Sequence, residues 1–318
     1  MWSINTIEWI DIELTSFCNI QCPGCFRTIS NKADKILNKE YLTLDLIKSR
    51  FKKEMFPNIK IINFCGSVDE PASHPEFFGI IEYFSDWNAH INIATNGSLR
   101  TADWWKRLAK LLPESHRVTW GIDGSDELSE VYRKGSNFKK VQENFRAFNL
   151  SGGKSNWQFI VFEHNEHQLE DAKRIAKEEG FKDFKIIISH RKDTKEVKPK
   201  QELIDSVKEI KEISCKYGNQ KRIFVNHMGN VIPCCHLNSK MLEYSVTGEI
   251  KDQFESLLTD NDYKNTINVH NTTIDEAINS KIWNGIVDSW TTDAPVPRCS
   301  QVCKQLKRDT FIKESLAQ

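Results

Sequence analysis

The fold is decided by residues 10–26, which read IDIELTSFCNIQCPGCF. Apolar and polar side chains alternate from Ile10 to Leu14, and this alternation predicts a β-strand. The strand leads into a loop with three thiols, separated by three residues and then by two: Cys18, Cys22 and Cys25. Folds with parallel strands place their sites at the carboxyl ends of those strands. We therefore expect this loop to form a ligand site at the end of a first strand.

The three thiols of this loop suit an iron–sulfur cluster. A four-iron cubane takes four ligands, so three local thiolates leave one iron open to a chelating small molecule. Pro23 and Gly24 supply the tight turn that lets one loop wrap a corner of the cube. Structural zinc usually takes four local ligands in paired spacing, and no fourth Cys or His lies nearby in the sequence. We predict a [4Fe–4S] cluster with an open iron; a zinc site or unconnected buried cysteines are the alternative.

Composition limits the class of protein. The 318 residues contain 44 Lys and Arg against 44 Asp and Glu, which argues against a general nucleic-acid-binding protein. No apolar run is long enough to span a membrane, and residues 1–5 lack the pattern of a signal peptide. We therefore expect a cytoplasmic protein without a membrane partner, in which thiols are reduced. Nine cysteines in such a chain point to metal or cluster ligation.

Up to about residue 190, segments with strand periodicity alternate with segments with helical periodicity. The predicted strands lie at 10–14, 59–64, 91–93, 118–122, 157–162 and 184–188. The predicted helices lie at 44–51, 77–84, 104–111, 141–148 and 169–175. Such alternation predicts parallel strands joined by crossover helices, and six units are fewer than the eight of a closed barrel. The predicted fold class is α/β, with a partial (β/α)6 TIM-like barrel over residues 1–195 and a doubly wound sheet as the competitor.

The pattern changes after residue 190. Residues 190–200 are charged and predict a linker. The spacing of apolar residues over 203–213 predicts an amphipathic helix, and two apolar runs around Gly229 predict a hairpin at 222–233. We expect residues 196–318 to form a small C-terminal α+β extension.

The cysteine spacing CxxxCxxC, followed by an aromatic residue after the first strand of an incomplete barrel, resembles the signature of the radical S-adenosylmethionine (radical SAM) superfamily. The resemblance implies that S-adenosylmethionine binds the open iron through its amino and carboxylate groups. It also implies reductive cleavage to a 5′-deoxyadenosyl radical, which abstracts hydrogen from a substrate, and an electron donor such as flavodoxin or ferredoxin. Phe26 stands where the family's aromatic ring packs near the adenine.

The segment after the second strand, Cys65–Pro75, resembles the family's glycine-rich segment that ends in an acid and a proline. In the family this segment contacts the amino group of S-adenosylmethionine. The residues that the resemblance implies in cofactor binding are Gly66, Ser67, Asp69, Glu70 and Pro71. Asp69 stands where glycine is usual, so the backbone there need not follow the family. A plain strand-to-helix loop is the alternative, and Cys65 is expected to be a small buried apolar residue.

The next two strand ends resemble further family segments. Thr95 and Asn96 belong to a Thr-Asn-Gly turn, and Asp123 belongs to Gly-Ile-Asp-Gly, similar to the family's Ser-Ile-Asp-Gly. Their side chains suit ribose hydroxyls or the substrate. After the fifth strand, Asn165 is expected to cap a helix. After the sixth, Arg191 is expected to be a solvated linker charge.

A second group of cysteines lies in the C-terminal part of the chain. Together with the hairpin glycine, it resembles the SPASM and twitch extensions found behind many radical SAM barrels. A SPASM extension with two auxiliary clusters needs more cysteines than remain, so the shorter twitch form with one auxiliary [4Fe–4S] cluster fits better. The implied ligands are Cys215, Cys234, Cys299 and Cys303, with Cys235 as the alternate for Cys234. A four-thiolate zinc site is the alternative.

The expected role of an auxiliary cluster filled by four thiols is electron transfer, because no iron is left to bind substrate. We therefore expect a dehydrogenase-like oxidoreductase that acts on a small polar substrate. The first strand starts near residue 8 without a winged-helix peptide-binding domain before it, which ranks a peptide substrate and peptide modification second. Epimerisation, with a thiol such as Cys65 or Cys235 as hydrogen donor, is a further alternative. Outside enzymes, the alternative is a zinc-stabilised binding protein.

Overall fold

The computed structural model describes residues 2–32, 37, 39–188, 208–209, 213–303, 305–306 and 311–316. Its strands are β1 (Trp9–Ile12), β2 (Ile61–Phe64), β3 (His90–Thr95), β4 (Arg117–Gly121), β5 (Ser155–Val161), β6 (Asp183–Ile188), β7 (Lys208–Glu209), β8 (Arg222–Val225), β9 (Val231–Ile232), β10 (Gln305–Leu306) and β11 (Phe311–Ser315). Its α-helices are α1 (Phe26–Lys32), α2 (Leu44–Arg50), α3 (Phe77–Ser85), α4 (Ala102–Leu111), α5 (Ser129–Tyr132), α6 (Phe138–Leu150), α7 (Leu169–Glu178), α8 (Lys216–Asn219), α9 (Cys235–Thr247), α10 (Gln253–Asp260), α11 (Tyr263–Thr266), α12 (Ile274–Ile278), α13 (Lys281–Asp288) and α14 (Pro297–Cys303).

Strands β1 to β6 lie side by side in chain order and are parallel. Their pairing is in register, with Ile10 opposite Ile62 and Ile62 opposite Ile91. Each connection between them contains a helix, because parallel neighbours need a crossover. The predicted α/β class, with six parallel strands in a partial TIM-like arrangement, is confirmed.

The side of the sheet that faces the helices is apolar. In β3, Ile91 and Ile93 are fully buried while Asn92 between them is partly exposed. Trp105 on α4 packs against Trp120 on β4, with their ring centroids 4.5 Å apart. Burying a large apolar side chain contributes about 1.5–3 kcal/mol, so this layer holds the strand ends and their loops in place.

The opposite side of the sheet carries a line of hydrogen-bonded polar side chains, which we call the polar row. In order, its members are Arg222, Asp11, Asn63, Asn92, Thr119 and Lys185. Successive donor–acceptor distances are 2.5, 2.8, 2.5, 2.9 and 3.4 Å. Strand alternation explains the row, because Asp11 lies between two core residues of β1 and points away from them. This side of the sheet is therefore built for polar contacts.

The sheet extends beyond the six predicted strands at both edges. Strand β8 is parallel to β1, with Ile223 opposite Ile10, and it also forms the predicted hairpin with β9. At the other edge, β11 pairs antiparallel with β6. The segments before and after residue 195 thus share one sheet, and their division into two domains remains a prediction.

The amphipathic helix predicted at 203–213 is wrong at Lys208–Glu209. These residues form β7 and pair antiparallel with β10, so their backbone groups are satisfied by another strand rather than within a helix. Residues 203–207 and 210–212, the 190–200 linker and Arg191 lie outside the described residues. None of the helices in the described ranges is both long and apolar enough to cross a membrane.

Candidate active site

The carboxyl ends of the parallel strands surround a cavity of about 280 Å³, which we call the strand-end cavity. The three cysteines of the first loop line it: Cys18, Cys22 and Cys25. Seven of the expected cofactor-binding residues line it as well: Gly66, Ser67, Asp69, Glu70, Pro71, Thr95 and Asn96. Parallel strands bring these loops together because all of their carboxyl ends lie at the same edge of the sheet.

The cysteine loop is fixed by backbone hydrogen bonds to neighbouring strand ends. Gln21 N donates to Lys134 O, and Glu70 N donates to Phe17 O, each at 2.7 Å. The loop is therefore tied to the segments that follow β2 and β4. A loop held in this way presents its thiols without a further ordering cost when a ligand binds.

Burial sets the ionisation of two of these thiols. It raises the pKa of Cys18 to about 12, with the Glu70 charge adding to the effect, and it raises the pKa of Cys22 to about 11. Both thiols therefore keep their protons until a metal displaces them. Three thiols on one loop, facing one cavity, fit a cluster that keeps one iron open.

Glu70 joins two of the loops that line the cavity. Its Oε1 accepts from Thr95 Oγ1 and its Oε2 accepts from Asn96 N, each at 2.7 Å. Burial raises the pKa of this carboxyl. The acid of the expected cofactor-binding segment therefore positions the Thr-Asn-Gly turn, and the proposed contacts of all three residues with S-adenosylmethionine remain predictions.

Asp69, which stands where the family usually has glycine, does not have a left-handed backbone. The described non-glycine residues with positive φ are Arg100, Lys221 and Asp262. Asp69 Oδ2 accepts from Leu14 N at 3.2 Å, and its Oδ1 is buried without a hydrogen-bond partner among the described residues. The substitution therefore adds a carboxyl group to the cavity wall instead of straining the chain.

Gly66 allows a close approach that no other residue permits. A Cβ atom there would lie 2.3 Å from Glu13 Cγ and 2.5 Å from Asp69 Oδ1. We expect Gly66→Ala to lower the free energy of unfolding by about 1–3 kcal/mol, because buried Glu13 has no room to move. Chemical denaturation of the purified variant measures this loss.

The matched control for this substitution is Gly79→Ala on α3. Its new methyl group would meet Leu44 Cδ2 at 2.8 Å, the end of a flexible side chain, and alanine is favoured over glycine in a helix. Equal losses of stability in the two variants would contradict a specific clash at Gly66.

Glu13, at the end of β1, is a site residue that sequence reasoning missed. Its Oε1 lies 2.6 Å from His227 Nδ1, while its Oε2 accepts from Ser67 N at 2.5 Å and Val68 N at 3.2 Å. Burial alone would raise the pKa of Glu13, but the interactions with His227 and the hydrogen bonds from Ser67 together outweigh it and lower that pKa. Asn238 on α9 also donates to Glu13, at 3.2 Å. His227 and Asn238, from the C-terminal part of the chain, thus hold Glu13 in place. Glu13 in turn holds the backbone of Ser67 and Val68, which line the cavity.

Arg133, which follows α5, was also missed. Its Nε lies 2.9 Å from Asp123 Oδ2, and its guanidinium group lines the cavity. Burial alone would lower the pKa of Arg133, but Asp123 and the other neighbouring acidic groups together outweigh it and raise that pKa, so the group is cationic. A Cβ at Gly121 would lie 2.6 Å from Arg133 Nη2, so glycine in place of the family's serine makes room for the guanidinium. Gly121, in place of the family's serine, was thus the one feature of the sequence that could have pointed to a bulky side chain such as Arg133 at this site.

The structure shows the protein neighbours of three further residues; the expected contacts of Phe26 and Asp123 with S-adenosylmethionine or substrate stay predictions. Asp123 is fully buried behind Arg133 and accepts from Ile160 N at 2.8 Å. Phe26 packs against a small apolar cluster that includes Val68. Asn165 precedes a 3-10 turn, but its side chain does not cap it; Nδ2 donates to Asp123 O at 2.8 Å instead. The expected cap is therefore wrong, because a buried carbonyl near Arg133 takes the amide.

Cys65 is half-buried in a polar setting, rather than packed among apolar side chains as the sequence predicted. It lines the strand-end cavity, and its Sγ accepts from Asn63 Nδ2 at 2.6 Å. The expectation failed because strand alternation continues past Phe64. Cys65 therefore shares the polar face with Asn63, two residues earlier.

Four cysteines from three distant segments line a second, smaller cavity. We call Cys215, Cys234, Cys299 and Cys303 the C-terminal thiol group. A hydrogen bond from Cys303 lowers the pKa of Cys215 to about 7 and raises the pKa of Cys303. Cys235 points elsewhere, with its Sγ 3.0 Å from Tyr217 OH. The structure thus brings together the expected ligand set with Cys234 rather than its alternate.

In the part of the chain that the structure describes, no three His, Cys, Asp or Glu side chains are arranged to hold a single metal ion. The assignment of a cluster or of zinc to the C-terminal thiol group therefore remains a prediction.

Comparison with known proteins gives a family and a fold. The family model described as Radical SAM superfamily matches residues 12–177. A stretch of 106 residues is 33% identical to the tungsten-containing aldehyde ferredoxin oxidoreductase cofactor-modifying protein of Pyrococcus furiosus. That alignment covers 33% of this chain and 28% of the relative, so the chain spans less than a third of the relative's length.

Two solved structures resemble nearly the whole chain. Native anSMEcpe with bound AdoMet has a TM-score of 0.58 at 16% identity, covering 89% of this chain and 84% of that one. SuiB of Streptococcus suis, bound to the precursor peptide SuiA, has a TM-score of 0.62 at 13% identity, covering 94% of this chain and 71% of that one. At these identities the likeness establishes the fold alone.

Proposed function

Because the chain belongs to the radical SAM superfamily, we propose that it forms a radical from S-adenosylmethionine in the strand-end cavity and oxidises a small polar substrate there. Membership of this superfamily implies that the chain binds a [4Fe–4S] cluster and S-adenosylmethionine. It therefore argues against the alternative of a zinc-stabilised binding protein. The observation that carries the proposal is that Cys18, Cys22 and Cys25 line one cavity with the segments after β2 and β3. When bound, the cluster supplies the electron that cleaves S-adenosylmethionine to a 5′-deoxyadenosyl radical, the species that takes hydrogen from the substrate.

The chain's own residues divide the work of this cavity. Cys18, Cys22 and Cys25 hold the cluster, and the Gly66–Pro71 segment together with Thr95 and Asn96 binds S-adenosylmethionine. Arg133 is a cation on the cavity wall, so it binds an anionic group such as a carboxylate. Asp123 positions Arg133 through their 2.9 Å ion pair. An electron donor such as flavodoxin or ferredoxin completes the reaction.

The C-terminal thiol group supports the oxidative outcome. We assign it an auxiliary [4Fe–4S] cluster, in a twitch-like extension formed by residues 196–318. Cys299 and Cys303 are four residues apart on α14 and so lie on one helix face, next to Cys215 and Cys234. Four thiolates leave no iron for the substrate, so this site suits the acceptance of an electron from a substrate radical.

Epimerisation is the second candidate, because the Cys65 thiol lines the cavity in which the radical forms. Its net reaction is redox-neutral, whereas oxidation removes two electrons from the substrate. A peptide in place of a small substrate remains an alternative for either outcome.

Anaerobic reconstitution of the full chain with iron and sulfide tests the proposal. We expect about eight irons per chain, four for each cluster, and formation of 5′-deoxyadenosine after reduction with dithionite. Iron is measured by colorimetric assay and 5′-deoxyadenosine by liquid chromatography with mass spectrometry. Iron near zero and no 5′-deoxyadenosine would overturn the proposed function.

A further inference from the structure

Cys65 is a thiol in the strand-end cavity that belongs to neither cysteine group. It follows β2 directly and lines the cavity with the first-loop cysteines. Its Sγ lies beside Asn63 and Asp11, two members of the polar row. It therefore stands in a different part of the wall, against the polar row.

The polar row fixes the position of this thiol. Asn63 Nδ2 donates both to Cys65 Sγ, at 2.6 Å, and to Asp11 Oδ1, at 2.8 Å. Asp11 Oδ1 itself lies 4.0 Å from Cys65 Sγ. Asp11 is held in turn by Arg222 Nε at 2.5 Å and Trp9 Nε1 at 3.0 Å. A side chain supported by strands in this way has the fixed geometry that a reacting group needs.

The surroundings of Cys65 favour its protonated form. Burial and the neighbouring Asp11 carboxylate raise the pKa of the thiol well above its ordinary value. The S–H bond is thus retained, and it is weaker than the C–H bond that a carbon radical forms when it takes the hydrogen. The same wall contains Asp69 Oδ1, buried without a partner among the described residues, which is typical of a surface that a polar ligand completes.

We propose that the Cys65 thiol donates a hydrogen atom to a carbon-centred radical formed in the strand-end cavity, an inference that rests on the proposed radical chemistry. A C–H bond forms as the S–H bond breaks homolytically, which leaves a thiyl radical on Sγ. One electron from the low-potential reductant that the reaction already requires, and one proton from solvent, restore the thiol. Asp11 Oδ1, 4.0 Å from the sulfur, is a carboxyl placed to pass this proton.

The donor can be identified without knowing the substrate. In D2O the thiol carries deuterium, whereas the C–H bonds of the protein do not exchange. The reconstituted full chain is therefore reduced with dithionite in D2O with S-adenosylmethionine alone, and 5′-deoxyadenosine is analysed by mass spectrometry. The measured quantity is the deuterated fraction, which does not depend on the amount formed.

We expect this fraction to fall at least about fivefold in Cys65→Ala, since a positioned donor outcompetes solvent by more than that. Cys65→Ser keeps the size and polarity of the side chain, but its O–H bond is too strong to give up a hydrogen atom, so we expect the same fall. Cys235→Ala, which removes the neighbouring thiol, is expected to match the wild type. An unchanged fraction in both Cys65 variants, or a fall only in Cys235→Ala, overturns the inference. Absence of 5′-deoxyadenosine from the wild type overturns the proposed function instead.

A second readout uses the iron-free protein. Alkylation by iodoacetamide at alkaline pH, mapped by mass spectrometry, is expected to modify Cys65 faster than Cys234, because Cys65 borders the larger cavity. Equal or slower modification of Cys65 would show that its sulfur is not accessible from the cavity, and would overturn the inference.

Discussion

Replacing Cys22 with alanine is expected to reduce the cleavage of S-adenosylmethionine at least about 100-fold, the upper end of the losses seen when groups that support a metal ligand are removed. The variant keeps two thiols in the loop, whereas the cluster needs three. Cys65 also lines the cavity, but its hydrogen bond to Asn63 holds it in the polar row, away from the loop. The measurement is 5′-deoxyadenosine formed by anaerobically reconstituted, dithionite-reduced protein.

The control for this variant is Gln21→Ala, in the same loop. The Gln21 side chain is exposed, and the hydrogen bond that anchors the loop comes from its backbone N–H, which alanine keeps. Near wild-type cleavage by Gln21→Ala and none by Cys22→Ala is the expected pair of results. Cleavage retained by Cys22→Ala would refute the assignment of this loop.

Replacing Cys234 with alanine is expected to remove about four irons per chain, one cluster's worth, while leaving the first cluster in place. Cys234 is almost fully buried and lines the small cavity with the other three members of the C-terminal thiol group. Loss of one of four ligands leaves an iron without a protein donor in a confined apolar space. Iron and sulfide content, with the electron paramagnetic resonance spectrum of the reduced protein, measure the result.

Cys235→Ala is the matched control, since it removes the adjacent thiol. Its expected iron content equals that of the wild type, because Cys235 contacts Tyr217 and not the C-terminal thiol group. The cost is limited to one hydrogen bond, about 1 kcal/mol of stability. The reverse pattern, with iron lost only from Cys235→Ala, would make Cys235 the ligand.

The six parallel strands were predictable because their apolar periodicity is local. The alternation at Ile10 and Ile12 predicts β1, and the helical spacing of apolar residues after each strand predicts the crossover helix. The edges of the sheet were not predictable in this way. Strand β8 was expected only as one arm of a hairpin, because Gly229 marks a local turn, whereas its pairing with β1 joins residues more than 200 positions apart.

The candidate site was predictable where a short motif identifies it and not where side chains come from afar. The loop of Cys18, Cys22 and Cys25 can be recognised from the sequence alone, because its three cysteines lie within eight consecutive residues. Arg133 carries no local signal, because it enters the cavity from a short helix and is explained only by the missing side chain at Gly121. Glu13 reads as a polar residue on a strand, and its 2.6 Å contact with His227 exists only once β8 lies beside β1.

Two sites in the chain offer a substrate radical different fates: Cys65 in the strand-end cavity and the C-terminal thiol group in the smaller cavity. Cys65 returns a hydrogen atom, whereas the C-terminal thiol group is proposed to take an electron. Which fate prevails depends on how close the substrate carbon lies to Cys65 Sγ.

The pairing of β1 with β8 has a consequence for synthesis on the ribosome. Trp9 lies opposite Arg222, so 213 further residues must be synthesised after Trp9 before β8 can pair with this edge of β1. At about 5–20 residues per second this wait lasts roughly 10–40 s. During it the nascent chain presents an unpaired strand edge, together with the Glu13 carboxylate, which has not yet met His227. Chaperone binding to the first half of the chain is therefore expected to end when the hairpin emerges.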